Sequence, residues 1–485
     1  MNKMQIKCFH NHERTASRSE IAIVIIILFV FLFISLAQVF MVQNLSPWQD
    51  EVMFIDPAAN LYFGNGFTSS AWFAQTKDKF WAGYTPLYSF FLYLWMQLFG
   101  FGVYTARSFN CLLAATCALT IWQAAIRLNL ITSAINRLIL ITILLLQLGY
   151  IIYQKQGRPD VLMASFAGVA LLAYSVELTK IRYVLLSCIC VLFPFAGVAL
   201  SAYTVILSAL VIIYLRQEFF KEFISIAIGL FVGFICIYIF YSVNGVWDDF
   251  IISIFKNPTI LLFSQRDKIG GFFGNRIFQI LVILCLALVI YKVIKGQFKW
   301  LSFLSFGLVA IFWIPLGMRL VGAFPSYYSW MVVVPLAICV CSSLDDQFRT
   351  VLSHRLSFPI LGTILNLCMI ISPYLNFINL VSQWHTSNYS YVEAFVEKNI
   401  KENEWVYSDP IAYFAAKKRG ITVIYKYYLN VITSEEKEKI SVLIIRPEEL
   451  SLLQDQLGVK WHQHGESLTI RYKEKFVELG VYRRK

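Results

Sequence analysis

Twenty-two consecutive residues, Ile21 to Val42, carry no charge, and similar apolar runs recur until about residue 380. A helix needs about 20 apolar residues to cross a bilayer, or about 17 when upright. By that measure, candidate spans fall near 21–43, 104–126, 138–153, 161–178, 183–198, 200–215, 223–243, 277–294, 300–317, 327–344 and 358–380, about eleven in all. The pieces at 138–153, 183–198 and 200–215 are the shortest. Beyond 380 the pattern changes. Polar helical stretches alternate with short β-like runs, among them "ITVIYKYY", "SVLIIRP" and "SLTIRY". The expected architecture is a polytopic α-helical membrane protein with a cytoplasmic N-terminus (1–20), a transmembrane domain (21–380) and a small soluble α/β or α+β domain (381–485).

One apolar segment is ambiguous by hydropathy. "YTPLYSFFLYLWMQLFGFG", Tyr84 to Gly102, could span, but its eight aromatic residues suit the headgroup region better. If it lies in the interface, each short cytoplasmic connection carries at least two basic residues: Arg127/Arg137, Lys180/Arg182, Arg216/Lys221, Lys292/Lys295/Lys299 and Arg349/Arg355. That arrangement obeys the positive-inside rule. It makes 44–103 a first external loop with amphipathic helices. It also puts the loop around Asp160 and the C-terminal domain on the external face.

Composition supports a membrane body with a soluble tail. The chain is 58% hydrophobic and 14% charged, well below the roughly 25% charged residues of soluble domains. Of its 29 acidic residues, 14 lie in the last hundred or so positions, as an ordinary soluble domain requires. The net charge of +12 follows from Lys and Arg in cytoplasmic loops and does not argue for nucleic acid. Most of the ten cysteines lie in apolar runs, and pairs such as Cys188/Cys190 point apart on a helix, so neither a disulfide framework nor a zinc site follows. The run at 21–42 is longer than the h-region of a cleaved signal, and Lys3, Lys7, Arg14 and Arg18 precede it. It reads as an uncleaved first span in the cytoplasmic membrane, with the N-terminus inside.

The external acids are the candidates for chemistry. Asp50 and Glu51 stand side by side just after the first span, followed by Asp56 and Asp78; Asp160 opens the fourth span in "GRPD". A carboxylate at a low-dielectric interface suits proton abstraction from a hydroxyl. If the other substrate is a lipid-borne phosphate ester, its leaving group needs only cations to hold developing charge. Arg107, at the start of the second span, has the right depth for that, with Arg158, Arg319, Lys77 and Lys79 as further cations. Plainer readings exist. Asp160 could cap its helix, Arg107 could snorkel to headgroups, and "HQH" at His462 to His464 reads as a solvated face.

In their order along the chain, these features resemble the C superfamily of polytopic glycosyltransferases, and within it the bacterial family-39-like branch related to protein O-mannosyltransferases and the lipid A aminoarabinose transferase. The resemblance covers about 1–380. It rests on the acidic "DE" after the first span, the Pro-led amphipathic segment ending in Phe-Gly, Arg107 opening the second span, the "GRPD" loop and the late "SYYSWMVVVP". It implies a sugar donor carried on polyprenyl phosphate, a lipid, glycan or protein acceptor, and inversion at the anomeric carbon. Asp50 would be the catalytic base with Glu51 beside it, and Asp160 would shape the site. Arg107, Arg158 and Arg319 would meet the donor phosphate, and Tyr84, Lys77, Lys79, Tyr327 and Tyr328 would contact substrate. Where relatives carry Pro-Pro, His-Pro-Pro or Glu-Lys-Pro, this chain has Tyr84-Thr85-Pro86. The Glu that can bind a metal in the aminoarabinose branch is thus Tyr84, so no cofactor is implied and a divalent metal is not supported. The alternative function is a transporter or flippase of a lipid-linked glycan, which would call for ionisable residues or broken helices at mid-membrane.

Overall fold

The computed structural model describes residues 15–41, 49–154, 157–215, 219–256, 276–300, 302–321, 326–351, 389–472 and 475–484. Ten of the expected apolar segments coincide with helices: α1 (Arg18–Met41), α4 (Val103–Arg127), α5 (Ala134–Gln154), α6 (Asp160–Tyr174), α7 (Thr179–Val191) continued by α8 (Phe193–Ala196), α9 (Val198–Leu215), α10 (Phe220–Val243), which the short α11 (Trp247–Ile251) follows, α12 (Arg276–Ile294), α13 (Phe303–Val321) and α14 (Trp330–Val351). The segment 358–380 lies outside the described residues. Among those described, six helices are long and apolar enough to cross a membrane. The break between the two shortest expected spans is a single residue, Gly197. A Cβ there would sit 2.2 Å from the Met163 sulfur, so glycine lets the α8–α9 corner lie on α6 without moving that side chain.

Between α1 and α4 the chain forms α2 (Gln49–Tyr62), a long loop and α3 (Leu87–Phe99). At 13 residues, α3 is about 20 Å long, too short to cross the hydrocarbon core. Tyr88, Ser89, Leu92 and Met96 bury one face, while Leu94, Leu98 and Phe99 point outward. At the other end of α4, buried Glu20 of α1 accepts two hydrogen bonds from Arg137 (2.7 and 2.5 Å) and one from Trp122 (3.3 Å). Arg182 and Glu222 join α7 to α10 at 2.9 Å. These pairs neutralise charge where burial would otherwise make it costly.

The C-terminal domain is a mixed six-stranded sheet with helices. Its elements are α15 (Ser390–Asn399), β1 (Trp405–Ser408), α16 (Pro410–Lys418), β2 (Thr422–Tyr425), α17 (Ser434–Lys439), β3 (Ile440–Ile445), α18 (Leu450–Leu457), β4 (Trp461–Gln463), β5 (Leu468–Tyr472) and β6 (Lys475–Arg484). The strand order is β2-β1-β3-β6-β4, with β5 also on β6; β1 pairs parallel with β2 and β3, and β6 is antiparallel to its neighbours. Asp409 caps α16 by accepting from the Ile411 N–H at 2.9 Å, with Pro410 preset for the first turn. The run "ITVIYKYY" is a strand only to Tyr425. Residues 426–430 coil into a 3₁₀ turn, because Tyr428 turns inward to bond Glu436 and the Lys77 N–H.

Helix α2 joins the two domains. Asp56, fully buried, accepts from the Ser69 hydroxyl (2.8 Å), the Ser70 N–H (2.7 Å) and the Tyr413 hydroxyl, and pairs with Lys417 at 3.0 Å. Tyr413 and Lys417 both belong to α16. Nearby, the Ser70 hydroxyl donates to the Val423 carbonyl (2.6 Å), and the Tyr425 N–H donates to Ser70 (3.1 Å). Phe101 stacks on Phe414 at 5.8 Å. Lys417→Met should therefore lower the thermal midpoint of the detergent-solubilised protein by several degrees and speed proteolysis of the C-terminal domain, because removing one partner of a buried pair costs about 3–5 kcal/mol. Lys418→Met, which removes only an exposed pair with Glu393, should leave the midpoint within a degree or two. Equal melting of both variants would contradict this account of the junction.

Candidate active site

Asp50 and Glu51 occupy the first turn of α2, where the helix dipole favours negative charge. Adjacent residues on a helix project about 100° apart, so the two carboxylates take different partners. Glu51 turns inward, with a side chain 1% exposed, and accepts two hydrogen bonds from Arg107 at 2.9 and 3.1 Å. Asp50 turns outward, 34% exposed, and pairs with Arg158. The Arg158 Nε also donates to Asp160 at 2.8 Å, so one guanidinium links two acids 110 residues apart in sequence.

The loop before α6 sets this geometry. Gly157 has φ +76°, and a Cβ on it would lie 2.5 Å from Glu51 Cγ and 2.6 Å from Ile55 Cδ1. The turn therefore rests directly on α2, and glycine supplies both the space and the left-handed backbone. The Arg158 carbonyl accepts from Asn110 (3.1 Å), whose side-chain oxygen accepts from the Tyr88 hydroxyl (3.1 Å). The Arg158 guanidinium lies 4.2 Å from the Tyr327 ring centroid and 5.1 Å from that of Phe54. Cation–π attraction adds to the ion pairs in holding it.

Burial alone would lower the pKa of Arg158, but Asp160, Tyr327 and Asp50 together raise it, so it stays a cation. Burial pushes the Tyr327 phenol up to about 12 and the Tyr84 and Tyr328 phenols further, with Asp160 adding to each rise. At neutral pH all three are neutral hydrogen-bonding groups, not bases. The Tyr84 ring stands edge-on to Phe54 at 5.1 Å, and Tyr327 edge-on to Tyr328 at 4.9 Å. Asp160 does not cap α6: Pro159 holds that position, one Asp160 oxygen serves Arg158, and the other, buried, has no hydrogen-bond partner among the described residues.

The structure thus gathers Asp50, Glu51, Arg107, Arg158, Asp160, Tyr84, Tyr327 and Tyr328. The other expected site residues are held elsewhere. Lys77 pairs with Glu436 (3.4 Å) and lies over the Trp405 ring, and Lys79 pairs with Asp249 (2.9 Å), so both tie the first loop to other elements. Arg319 is exposed on the last turn of α13, with no described hydrogen bond to the cluster. Arg107 is 2% exposed and bonded to Glu51, so it helps to set the position of α2. Asn110 and Tyr88 were not anticipated. Asn110 lies one turn after Arg107 on α4, which was the available signal.

Among the described residues no group of three His, Cys, Asp or Glu side chains is arranged to hold a metal ion, and His462 and His464 are exposed on the C-terminal sheet. The cluster itself does not fit a divalent cation, because guanidiniums already engage its three carboxylates and the residue at position 84 is a neutral phenol.

No protein-family model matches the sequence, nor does any curated protein. Solved structures do match. ArnT from Cupriavidus metallidurans bound to undecaprenyl phosphate superposes with a TM-score of 0.63 at 11% identity, covering 96% of this chain and 98% of that one. Its apo state gives 0.60 over the same shares. The Archaeoglobus fulgidus oligosaccharyltransferase AglB, in complex with an inhibitory peptide and a dolichol-phosphate, gives 0.51 at 11% identity, covering 91% of this chain and 71% of that one. The membrane helices, the first-loop helices and the C-terminal sheet domain together have the fold of these structures.

Proposed function

We propose that the chain transfers a sugar from a polyprenyl-phosphate carrier to an acceptor hydroxyl at the external face of the cytoplasmic membrane. The observation that carries this reading is the Asp50–Arg158–Asp160 bridge, in which Asp50 alone of the three clustered carboxylates is partly exposed. The fold supports it, since one similar structure is bound to undecaprenyl phosphate and another is in complex with a dolichol-phosphate.

In this mechanism the acceptor hydroxyl gives its proton to Asp50 as its oxygen attacks the anomeric carbon. The bond from that carbon to the carrier phosphate breaks, and polyprenyl phosphate departs. One displacement inverts the anomeric centre. A phosphate is a stable leaving anion and needs no proton donor, so no metal or acid is required. Asp160 and Arg158 aim the base, and Glu51 and Arg107 fix the helix that carries it. Tyr84, Tyr327 and Tyr328 line the sugar pocket. Arg319, the exposed one of the three arginines, is assigned the carrier phosphate.

Asp50→Asn should insert normally, because Arg158 keeps Asp160, yet lower transfer about a hundredfold or more. Purified variants assayed against a panel of polyprenyl-phosphate sugars test this; wild-type turnover by the Asn variant would sink the mechanism. Arg319→Ala should raise the donor KM roughly tenfold, the loss of one charge-assisted contact. Arg107→Ala should instead reduce the yield of folded protein, because Glu51 is left as an unpaired buried charge. Treatment with a chelator should leave transfer unchanged, and loss that a single metal restores would overturn the metal-free scheme.

A further inference from the structure

Helix α2 presents Asp50 in its first turn, yet a proline stands inside it at position 57. Pro57 has no N–H to donate to the Met53 carbonyl, so the hydrogen-bond ladder is interrupted directly after Asp56. The two turns that carry the base, 49–56, therefore lean on the side chains at their ends. Glu51 fastens the first turn to Arg107 of α4. Asp56 fastens the second, and its counter-charge, Lys417, comes from the other domain.

The Asp56 carboxylate is divided between the two domains. Among the described residues, Oδ1 takes its partners only from α16, the Tyr413 hydroxyl and the Lys417 ammonium, while Oδ2 takes the Ser69 hydroxyl and the Ser70 N–H of the first loop. Tyr413 and Lys417 stand four residues apart and so share one face of α16. Asp56 is fully buried, so bulk water does not replace either set of partners. A buried carboxylate deprived of its counter-charge takes up a proton or moves toward water. Either response frees the second turn of α2, and the broken ladder at Pro57 offers little to hold it. Helix α16 also reaches the bundle through Phe414, stacked on Phe101 just before α4. It thus touches both the helix that carries Asp50 and the entry to the helix that carries Arg107.

We propose that Lys417 and Tyr413 are positioning residues for Asp50: the docked C-terminal domain sets the orientation of α2, and through it the rate of proton transfer, without touching substrate. The proposal rests on the reading of Asp50 as the base. It places the domain's contribution in kcat, because the donor phosphate is assigned to Arg319, away from this junction.

The test uses the full-length protein in nanodiscs, well below its unfolding transition, with Lys417→Met, Tyr413→Phe and the exposed control Lys418→Met. Amide hydrogen exchange is followed over 49–56 and over α4, and kcat and donor KM are measured per folded molecule with a polyprenyl-phosphate sugar. Lys417→Met should speed exchange over 49–56 about tenfold and lower kcat about tenfold, with donor KM within about twofold and α4 unchanged. Tyr413→Phe keeps the ion pair and so should fold even where Lys417→Met does not; it should shift both readings in the same direction by about threefold. Lys418→Met should match the wild type. Wild-type kcat in both Lys417→Met and Tyr413→Phe overturns the proposal. So does a loss confined to donor KM, or a loss of kcat with exchange over 49–56 unchanged. If exchange responds as stated but even the wild type consumes no polyprenyl-phosphate sugar, the coupling of α16 to α2 stands and the transfer reading falls.

Discussion

Ionised groups at the rim of an apolar bundle must find partners, because burying an unpaired charge costs several kcal/mol. Most of the site's geometry follows from this requirement. Glu51 and Arg107 satisfy each other with two parallel hydrogen bonds, and this bidentate fork fixes both the rotation and the depth of α2 against α4. With α2 so held, the neighbouring residue Asp50 turns outward, where it is partly exposed. Arg158 then has two acids within reach, and the Gly157 turn brings it there.

The same helix carries a second constraint nearly two turns later. Asp56 is buried against α16, where Lys417 and Tyr413 reach it from the C-terminal domain. A single helix of 14 residues is thus fastened to the membrane bundle by its first turn and to the soluble domain by its middle. Displacing the C-terminal domain would leave Asp56 without Lys417 and the Tyr413 hydroxyl, with only Ser69 and Ser70 to hold its charge, and would loosen the element that presents Asp50. The soluble domain is therefore part of what holds the site's geometry, even where it contributes no group to the reacting atoms.

Much of this was legible in the chain. The uncharged run at 21–42, the aromatic segment bounded by Pro86 and Gly100, and the acids after the first span correspond to α1, α3 and the site carboxylates. Partnership was not legible. Glu51 and Arg107 are 56 residues apart, and nothing local in either sequence distinguishes an arginine that locks a helix from one that meets a phosphate. Lys417 looks like a solvated lysine at a helix end in "PIAYFAAKK", and only docking makes it a buried partner of Asp56. In the tail, β1 has four residues and β4 three, too few for an alternating pattern to stand out, and β6 carries Glu478 and Gly480 within its run.

The charge balance of the cluster constrains where a donor can sit. It holds one more carboxylate than guanidinium, and both guanidiniums are buried against carboxylates. A polyprenyl phosphate approaching it meets net negative charge, which is unfavourable at short range in a low dielectric. The phosphate must then be held from another side, by cations not already committed to the cluster. The surplus negative charge suits the other half of the proposed reaction, since a site with an excess carboxylate favours taking a proton from a neutral hydroxyl. Separating the carrier's anion from the base also keeps the two from opposing each other when the phosphate departs. In the proposed transfer, the arginines beside Asp50 would orient the base, and Arg319, exposed on the last turn of α13, would receive the leaving group.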